Sequence, residues 1–351
     1  MAKKFLTKDN SSYIIVILAY LIVELLLKTG HVSSLMKGLL VPLCVYVILA
    51  VSLNITVGIL GELSLGHAGF MCVGAFTGAF FSRYVGDAIA FGYLRFAIAV
   101  ILGALAAALF GIIIGIPVLR LKGDYLAIVT LAFGEIIKNV VNVLYVGKDM
   151  NGLHISMKDT ASLNLDAASS DIIIKGAQGI TGTPKDSTFT IGILLVLITL
   201  FVTLNLIHSR TGRAIMAIRD NRIAAESIGI NITKYKLLAF TISAAFAGVA
   251  GVLYAHNLAS LTALPKNFGY NMSIMILVFV VLGGMGNIRG SIISAVILTL
   301  LPELLRGLND YRMLIYSIVL IVVMIFSWSP SAKAFRERYF GFLGKKKKEV
   351  S

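Results

Sequence analysis

Residues 53–79 read LNITVGILGELSLGHAGFMCVGAFTGA, an apolar stretch interrupted by glycine and polar residues. Glycines recur about every four residues, at or beside positions 57, 61, 66, 70, 74 and 78. Gly61, Gly66, Gly74 and Gly78 occupy four of these positions, while Gly58 and Gly69 adjoin Val57 and Phe70. Small residues at this spacing let helix backbones approach closely in lipid, where packing replaces the hydrophobic effect. The stretch therefore predicts membrane helices that pack tightly or are interrupted.

Polar side chains lie within the same stretch. Asn54, Glu62, Ser64 and His67 fall at membrane depth, where polar groups are costly unless they face protein or water. We interpret the run from Glu62 to His67 as a break in a helix that borders a substrate path. Close helix packing is the alternative interpretation of the glycines.

The composition of the whole chain indicates a polytopic membrane protein. Of 351 residues, 58% are hydrophobic and 14% are charged, with a mean hydropathy of +0.91. Ordinary soluble domains carry about 45–50% apolar and about 25% charged residues. A soluble enzyme, a disordered chain and a collagen-like fibre are therefore excluded, and no stretch of ordinary composition is long enough for a separate catalytic domain. Cys44 and Cys72 lie in apolar runs and are interpreted as small buried hydrophobes.

The predicted fold class is all-α, with about ten transmembrane helices of roughly 20 residues each. The first segment follows three lysines like a signal peptide, but no small-residue cleavage site follows it, so we expect a retained anchor. The ten predicted segments are 12–28, 38–60, 64–82, 94–119, 125–146, 189–208, 236–256, 271–287, 291–308 and 311–328.

The formal net charge of +14 is explained by membrane topology better than by a nucleic-acid partner. With ten spans and an inside N-terminus, 19 lysines and arginines lie inside and 11 outside, with Lys138 in a span. Both termini are therefore expected to be cytoplasmic. The expected parts are a cytoplasmic N-terminus 1–11, a membrane domain 12–328 and a basic cytoplasmic tail 329–351; within the domain, loop 147–188 is external and loop 209–236 cytoplasmic.

A second polar site lies in the stretch 123–136, GDYLAIVTLAFGEI. Glu135 and Lys138 are three residues apart on one helix face, which allows a structural ion pair. The functional alternative is that Thr130, Phe133 and Glu135 line a water-filled part of the substrate path, since intramembrane carboxylates are rare.

The stretch 209–236 is the longest polar segment between predicted spans. It predicts a short helix with Asp220 or Asn221 as N-cap and Gly229 as C-cap. We interpret it as a docking element for a cytoplasmic subunit; a basic loop resting on the membrane is the alternative. The residues assigned to this coupling are Arg213, Arg219, Arg222, Ala224, Ala225, Glu226 and Gly229.

Other chemistries find little support in the sequence. The stretch 282–292, LGGMGNIRGSI, predicts a tight turn between spans, and no G-x-x-x-x-G-K-[ST] phosphate loop occurs in the chain. The five histidines show no metal-ligand spacing, and hydrolase motifs are missing. We therefore predict no catalytic residue, metal or cofactor.

The stretches 53–79, 123–136, 209–251 and 281–290 resemble, in order and approximate spacing, the permease subunits of branched-chain amino acid ABC transporters. The chain looks most like the longer of the two paired permeases, over about residues 40–327. The resemblance implies an inner-membrane subunit without enzymatic activity, paired with a second homologous permease, two cytoplasmic ATP-binding subunits and an external binding protein that delivers leucine, isoleucine or valine. The helix after Arg222 then matches the family's coupling element.

The chain departs from the family pattern at one residue, and several alternative functions remain open. The family usually has Gln where this chain has Glu62, and an added carboxylate there would alter selectivity if it touched the substrate. Related permeases handle urea, short amides or other amino acids. A transporter driven by an ion gradient, with Glu135 or Glu62 as the coupling carboxylate, and a structural membrane scaffold are the other classes considered.

Overall fold

The computed structural model describes residues 10–29, 33–86, 89, 91–119, 125–149, 152–165 and 171–328. The chain divides into two units, Met1–Ala295 and Val296–Ser351. The predicted tail 329–351 and most of the predicted N-terminus 1–11 lie outside the described residues.

The helices account for most of the described chain. They are α1 Asn10–Lys28, α2 Ser34–Asn54, α3 His67–Tyr84, α4 Gly92–Val118, α5 Tyr125–Val143, α6 Phe189–His208, α7 Arg210–Asp220, α8 Arg222–Ser227, α9 Ile232–Ala255, α10 Pro265–Phe268, α11 Tyr270–Gly283, α12 Ile288–Leu304 and α13 Arg312–Trp328. The helical fold class is confirmed.

Each of the ten predicted segments overlaps a helix, but seven helices in the described residues are long and apolar enough to cross a membrane. The prediction of about ten spans is therefore too high by this measure. Helix α3 falls short because His67, Arg83 and several glycines lower its hydropathy. The seven candidate spans are Met36–Leu60, Gly92–Val118, Tyr125–Val143, Phe189–His208, Ile232–Ala255, Pro265–Gly283 and Ile288–Gly307.

Helix α3 forms the centre of the first unit, where it packs against α4 and α9. Small residues make this packing possible, because a Cβ added at Gly74 would overlap the backbone of Gly248. Helix α4 buries a row of Ala99, Gly103, Ala107 and Gly111. Its opposite face exposes large apolar side chains such as Leu105, which is 61% exposed. Small residues inside and large ones outside are the arrangement expected of helices that pack in lipid.

The segment between α5 and α6 forms a small antiparallel sheet that the all-α prediction did not include. The segment contributes the strands β1 Tyr145–Asp149, β2 Gly152–Ser156, β3 Asp171–Lys175 and β4 Ile180–Thr181. Strand β5 Ser260–Leu261, which follows α9, completes the sheet in the order β2-β1-β3-β4-β5. An ion pair of 2.7 Å between Arg95 of α4 and Asp186 fixes the end of this segment to the helices. The described part of this segment is thus folded, as is usual for a connection of this length in a compact protein.

Candidate functional site: a broken helix and the loop beneath it

The helix break predicted at Glu62–His67 is present. Helix α2 ends in a π-helical turn, Ile55–Leu60, and Gly61 then takes the left-handed conformation with φ +79°. Residues 61–66 are not helical, and α3 begins at His67. π-Helical turns are rare and occur often at functional sites. Because Leu63 is 38% exposed between two buried helices, this segment offers a surface that the other described residues do not cover.

The two helix ends flanking the break are held by hydrogen bonds to their neighbours. The His67 ring lies 2.7 Å from the Ser52 hydroxyl, which joins the start of α3 to α2. The backbone N–H of Leu65 donates to the Thr130 hydroxyl of α5 at 3.1 Å. The backbone N–H of Ala68 donates to Ser273 of α11 at 3.1 Å. His67 and Thr130 therefore hold the break in place.

Asn54 connects the break to the turn between α11 and α12. Its side-chain oxygen accepts from the backbone N–H of Gly286 at 2.8 Å, and its side-chain nitrogen donates to Ser291 at 2.9 Å. Asn54 is fully buried, so both polar atoms of its amide are satisfied inside the protein. The glycine-rich turn predicted at 282–292 thus contacts the broken helix.

Glu62 forms an ion pair with Lys236, which lies in the first turns of α9. The Glu62 side chain is 18% exposed and the Lys236 side chain is 6% exposed, so most of the pair is removed from solvent. Isolated charges are costly to bury, whereas a paired carboxylate and ammonium neutralise each other. Sequence reasoning had placed Glu62 on the substrate path without this partner.

Glu135 and Lys138 form the structural ion pair that their spacing allowed. The second carboxylate oxygen of Glu135 accepts the backbone N–H of Tyr270, at the start of α11, at 2.8 Å. The neighbouring Phe133 packs against Phe70 of α3, with ring centroids 5.0 Å apart. Both residues therefore connect α5 to other helices.

Ser64 differs from the other polar residues assigned to the substrate path. Its side chain is 2% exposed, and its hydroxyl has no hydrogen-bond partner among the residues that the structure describes. Buried hydroxyls are normally hydrogen-bonded, and an orphan calls for an explanation such as a transient ligand.

The glycines assigned to helix packing all lie at close approaches. A Cβ at Gly69 would lie 2.6 Å from the Cα of Gly134, and one at Gly61 would lie 2.6 Å from Cγ of Arg219. A Cβ at Gly66 would overlap the Thr130 carbonyl. Gly58 and Gly69 make these contacts, whereas the adjoining Val57 and Phe70 carry ordinary buried side chains.

Helix α8 carries caps at both ends. The Asn221 side chain accepts from the backbone N–H of Ala224 at 3.0 Å, which identifies Asn221 as the N-cap. Gly229 takes the left-handed conformation with φ +83°, as predicted for its C-cap role. The N–H of Gly229 donates to Glu226 at 3.0 Å and that of Ile230 to Ala225 at 3.1 Å. These two bonds form a Schellman motif, which satisfies the last carbonyls of a short helix.

The two faces of α8 differ in a way that sequence reasoning missed. Ala225 is 3% exposed and packs in a small cluster with Ile218 of α7 and Ile232 of α9. Ile223 and Ile228 are 81% and 75% exposed. Ala225 therefore faces the protein, and the outward surface of α8 consists of two isoleucines with Ala224 and Glu226. The isoleucines at 218, 223, 228 and 232 lie in α7, in α8, at the C-cap of α8 and in α9, so their spacing defines no single helix face from which the buried position could be predicted.

The basic residues of the loop have different partners. Arg213 donates to the carbonyl of His208, at the end of α6, at 3.0 Å. Arg219 extends toward the helix break, where it donates to the Gly58 carbonyl at 2.9 Å. Arg222, at the start of α8, is exposed. Of the seven residues assigned to coupling, Arg219 thus contacts the broken helix directly.

Comparison with known proteins agrees with this architecture. Residues 35–327 match the family described as "Branched-chain amino acid transport system / permease component". No solved structure gave a significant match.

Several curated proteins are similar in sequence. The "High-affinity branched-chain amino acid transport system permease protein LivM" of Salmonella typhimurium is 38% identical over 294 residues, which are 82% of this chain and 67% of the relative. LivM of Escherichia coli is 37% identical over 294 residues, again 82% of this chain and 67% of the relative. The "Ribose import permease protein RbsC" of Escherichia coli is 31% identical over 125 residues, 34% of this chain and 38% of that protein. With a broken, glycine-packed membrane core and a family match over most of its length, this chain belongs to the permease components of branched-chain amino acid transport systems.

Proposed function

We propose that the chain is one of two homologous permease subunits of an ATP-driven importer for leucine, isoleucine and valine. Two cytoplasmic ATP-binding subunits would supply the energy, and an external binding protein would deliver the amino acid. The observation that carries the proposal is the exposed apolar surface at α8, a capped helix of six residues, where Ile223 and the C-cap residue Ile228 lie on the outside. Six residues do not form a stable helix alone, and exposed apolar residues on such an element favour a protein partner.

Changing the outward face of α8 tests this docking. Ile223→Glu and Ile228→Glu should each reduce co-purification of the ATP-binding subunits and abolish uptake, with normal membrane levels of this chain. Met157→Glu is the matched control, because Met157 is 63% exposed just after β2, away from the cytoplasmic loop. Unchanged co-purification with both α8 variants would show that the loop rests on the lipid surface instead.

An apolar cavity supports the choice of an aliphatic substrate. It has a volume of about 440 Å³ and lies where the C-terminal ends of α3 and α5 meet strands β1–β3. Its lining includes Phe76, Phe80, Phe110 and Val140. Carbon-lined cavities suit a branched aliphatic side chain and offer little to sugar hydroxyls. We therefore expect Val140→Asn to lower leucine uptake at normal expression, and ribose not to compete.

The substrate path is proposed to follow the uncovered side of residues 61–66, beside the orphan hydroxyl of Ser64. The other residues assigned to the path would shape it by holding its walls. The polar side chains among them already have hydrogen-bond partners within the protein, and the ring of Phe133 is packed; these residues are Asn54, His67, Thr130, Phe133 and Glu135. Ser64→Ala should change the KM of transport and leave expression unchanged.

Coupling to an ion gradient is the second candidate. It requires a carboxylate free to exchange protons, but Glu62 and Glu135 are both engaged by lysines. In proteoliposomes containing the whole complex, uptake should follow internal ATP and survive a protonophore. Uptake that continues without ATP and ceases with the protonophore would establish the gradient-driven class.

The proposed orientation places both termini and loop 209–236 in the cytoplasm, with 147–188 outside. The excess of lysine and arginine on the cytoplasmic side supports it.

A further inference from the structure

The π-helical turn at the end of α2 leaves a backbone carbonyl available for a side chain. Within a regular helix the Gly58 carbonyl would accept from the N–H of residue 62, but Glu62 donates instead to Thr56 at 3.1 Å. The carbonyl of Gly58 receives Nη1 of Arg219 at 2.9 Å. A side chain from the cytoplasmic loop thus satisfies a backbone group of the broken helix.

The fit between this arginine and the break depends on Gly61, while Gly58 allows the close approach of Asn54 and Gly286. Gly61 has no Cβ, and one placed there would lie 2.6 Å from Cγ of Arg219, so the arginine stem fills that space. A Cβ at Gly58 would overlap Asn54 and the backbone of Gly286. The arginine therefore occupies a notch shaped by the left-handed Gly61.

The backbone that carries Arg219, near the end of α7, leads directly into α8. The guanidinium also bonds Asp220, with Nε and Nη2 at 3.1 and 3.0 Å from Oδ1. The next residue, Asn221, is the N-cap of α8. One residue before Arg219, Ile218 packs against Ala225 of α8. A displacement of α8 must therefore act on the backbone that carries Arg219.

A second contact joins the C-terminal end of loop 209–236 to the helix break at residues 61–66. Lys236, in the first turns of α9, pairs with Glu62 on the far side of Gly61. The segment from Arg219 to Lys236 is thus anchored to the break at both ends, by Gly58 and by Glu62, with α8 between the anchors.

Resting on the proposed function, we infer that Arg219 is the positioning residue that transmits movement of α8 to the helix break, with the Glu62–Lys236 pair as the second anchor. ATP-driven displacement of α8 withdraws the guanidinium from the Gly58 carbonyl and changes the conformation of residues 61–66. Arg219 acts on the path through the backbone and does not touch the substrate.

The test uses the whole reconstituted transporter with Arg219→Met, which keeps an apolar stem and removes the donor. ATP-binding subunits should co-purify as in the wild type and basal ATP hydrolysis should persist, while amino acid transported per ATP falls about tenfold, a typical coupling factor. Arg219→Lys, which retains a cationic donor, should recover part of this ratio. Arg210→Met is the matched control, on an exposed arginine at the start of α7 outside the residues assigned to coupling, and it should leave the ratio unchanged.

A spectroscopic reading separates transmission from simple structural support. Spin labels at Ser227→Cys and Leu63→Cys should both change mobility when ATP is trapped in the wild type. In Arg219→Met the label at 227 should still respond and the label at 63 should not. The inference would be overturned if Arg219→Met transported as much amino acid per ATP as the wild type. It would also be overturned if the spin label at position 63 still responded to trapped ATP in Arg219→Met. Loss of co-purification would also overturn it, by placing Arg219 in the docking surface. Failure of the unmodified complex to couple ATP to uptake would instead refute the proposed function.

Discussion

Gly229→Ala measures what the left-handed cap of α8 contributes to docking. Gly229 has φ +83°, and no atom lies within 4 Å of the position that a Cβ would occupy. The substitution therefore causes no clash inside the chain, and its effect comes from backbone strain alone. An L-residue in this conformation costs about 1–2 kcal/mol. Since about 1.4 kcal/mol corresponds to a factor of ten, the affinity for the ATP-binding subunits should fall about 5- to 30-fold.

The assay titrates purified ATP-binding subunits against the permease in lipid nanodiscs and records the Kd. Gly229→Asn is the informative comparison, because asparagine tolerates the left-handed region better than alanine but is larger. If backbone strain decides the affinity, the Gly229→Asn variant should bind the ATP-binding subunits more tightly than Gly229→Ala. If the partner leaves no room for a side chain at this position, Gly229→Ala should bind more tightly. Equal affinities for wild type and Gly229→Ala would show that the cap conformation does not matter for docking and would refute the reasoning.

The remaining predictions concern topology, nucleotide binding and the buried ion pair. A membrane-impermeant thiol reagent should label Lys158→Cys but not Ser227→Cys in intact cells, and the reverse pattern would invert the orientation; Cys44 and Cys72 are buried and should not interfere. Photolabelling of the purified chain alone with an ATP analogue should give no specific product, because the sequence has no phosphate loop; specific labelling would count against a permease that depends on separate ATP-binding subunits. Glu62→Gln should destabilise the chain by about 3–5 kcal/mol because it leaves Lys236 buried without a counter-charge. The double variant Glu62→Gln/Lys236→Met should recover detergent thermostability, and a single variant as stable as wild type would show that the pair is solvated.

Local features of the fold could be predicted from sequence because their determinants lie within a few residues. The caps of α8 depend on Asn221 and Gly229, which lie on either side of this six-residue helix. The break before His67 depends on glycines and polar groups concentrated between positions 58 and 67. The apolarity of each segment located ten helices for the same reason. It did not distinguish α3, which lies at the centre of the first unit, from the helices that are long and apolar enough to span a membrane.

Contacts between distant segments could not be predicted, because each polar residue offers many partners in a single sequence. Glu62 and Lys236 are 174 positions apart, and Arg219 and Gly58 are 161 apart. Without these pairs, Glu62 was interpreted as facing the substrate and Arg219 as facing a partner protein. The buried orientation of Ala225 was missed likewise, since it depends on how α7, α8 and α9 fold together around Ile218 and Ile232.

The pairing of Glu62 also changes what its departure from the family pattern implies. A carboxylate in place of the usual glutamine would add a negative charge to the break if it stood alone. Lys236 removes that charge locally, so on the proposed path the pair would present no net charge to a zwitterionic amino acid beside residues 61–66. The electrostatic environment of the path then resembles that beside a neutral glutamine, while the connection between α9 and the break is stronger than a neutral hydrogen bond. Glu62 is therefore better explained as a device that anchors the coupling loop than as a determinant of substrate selectivity.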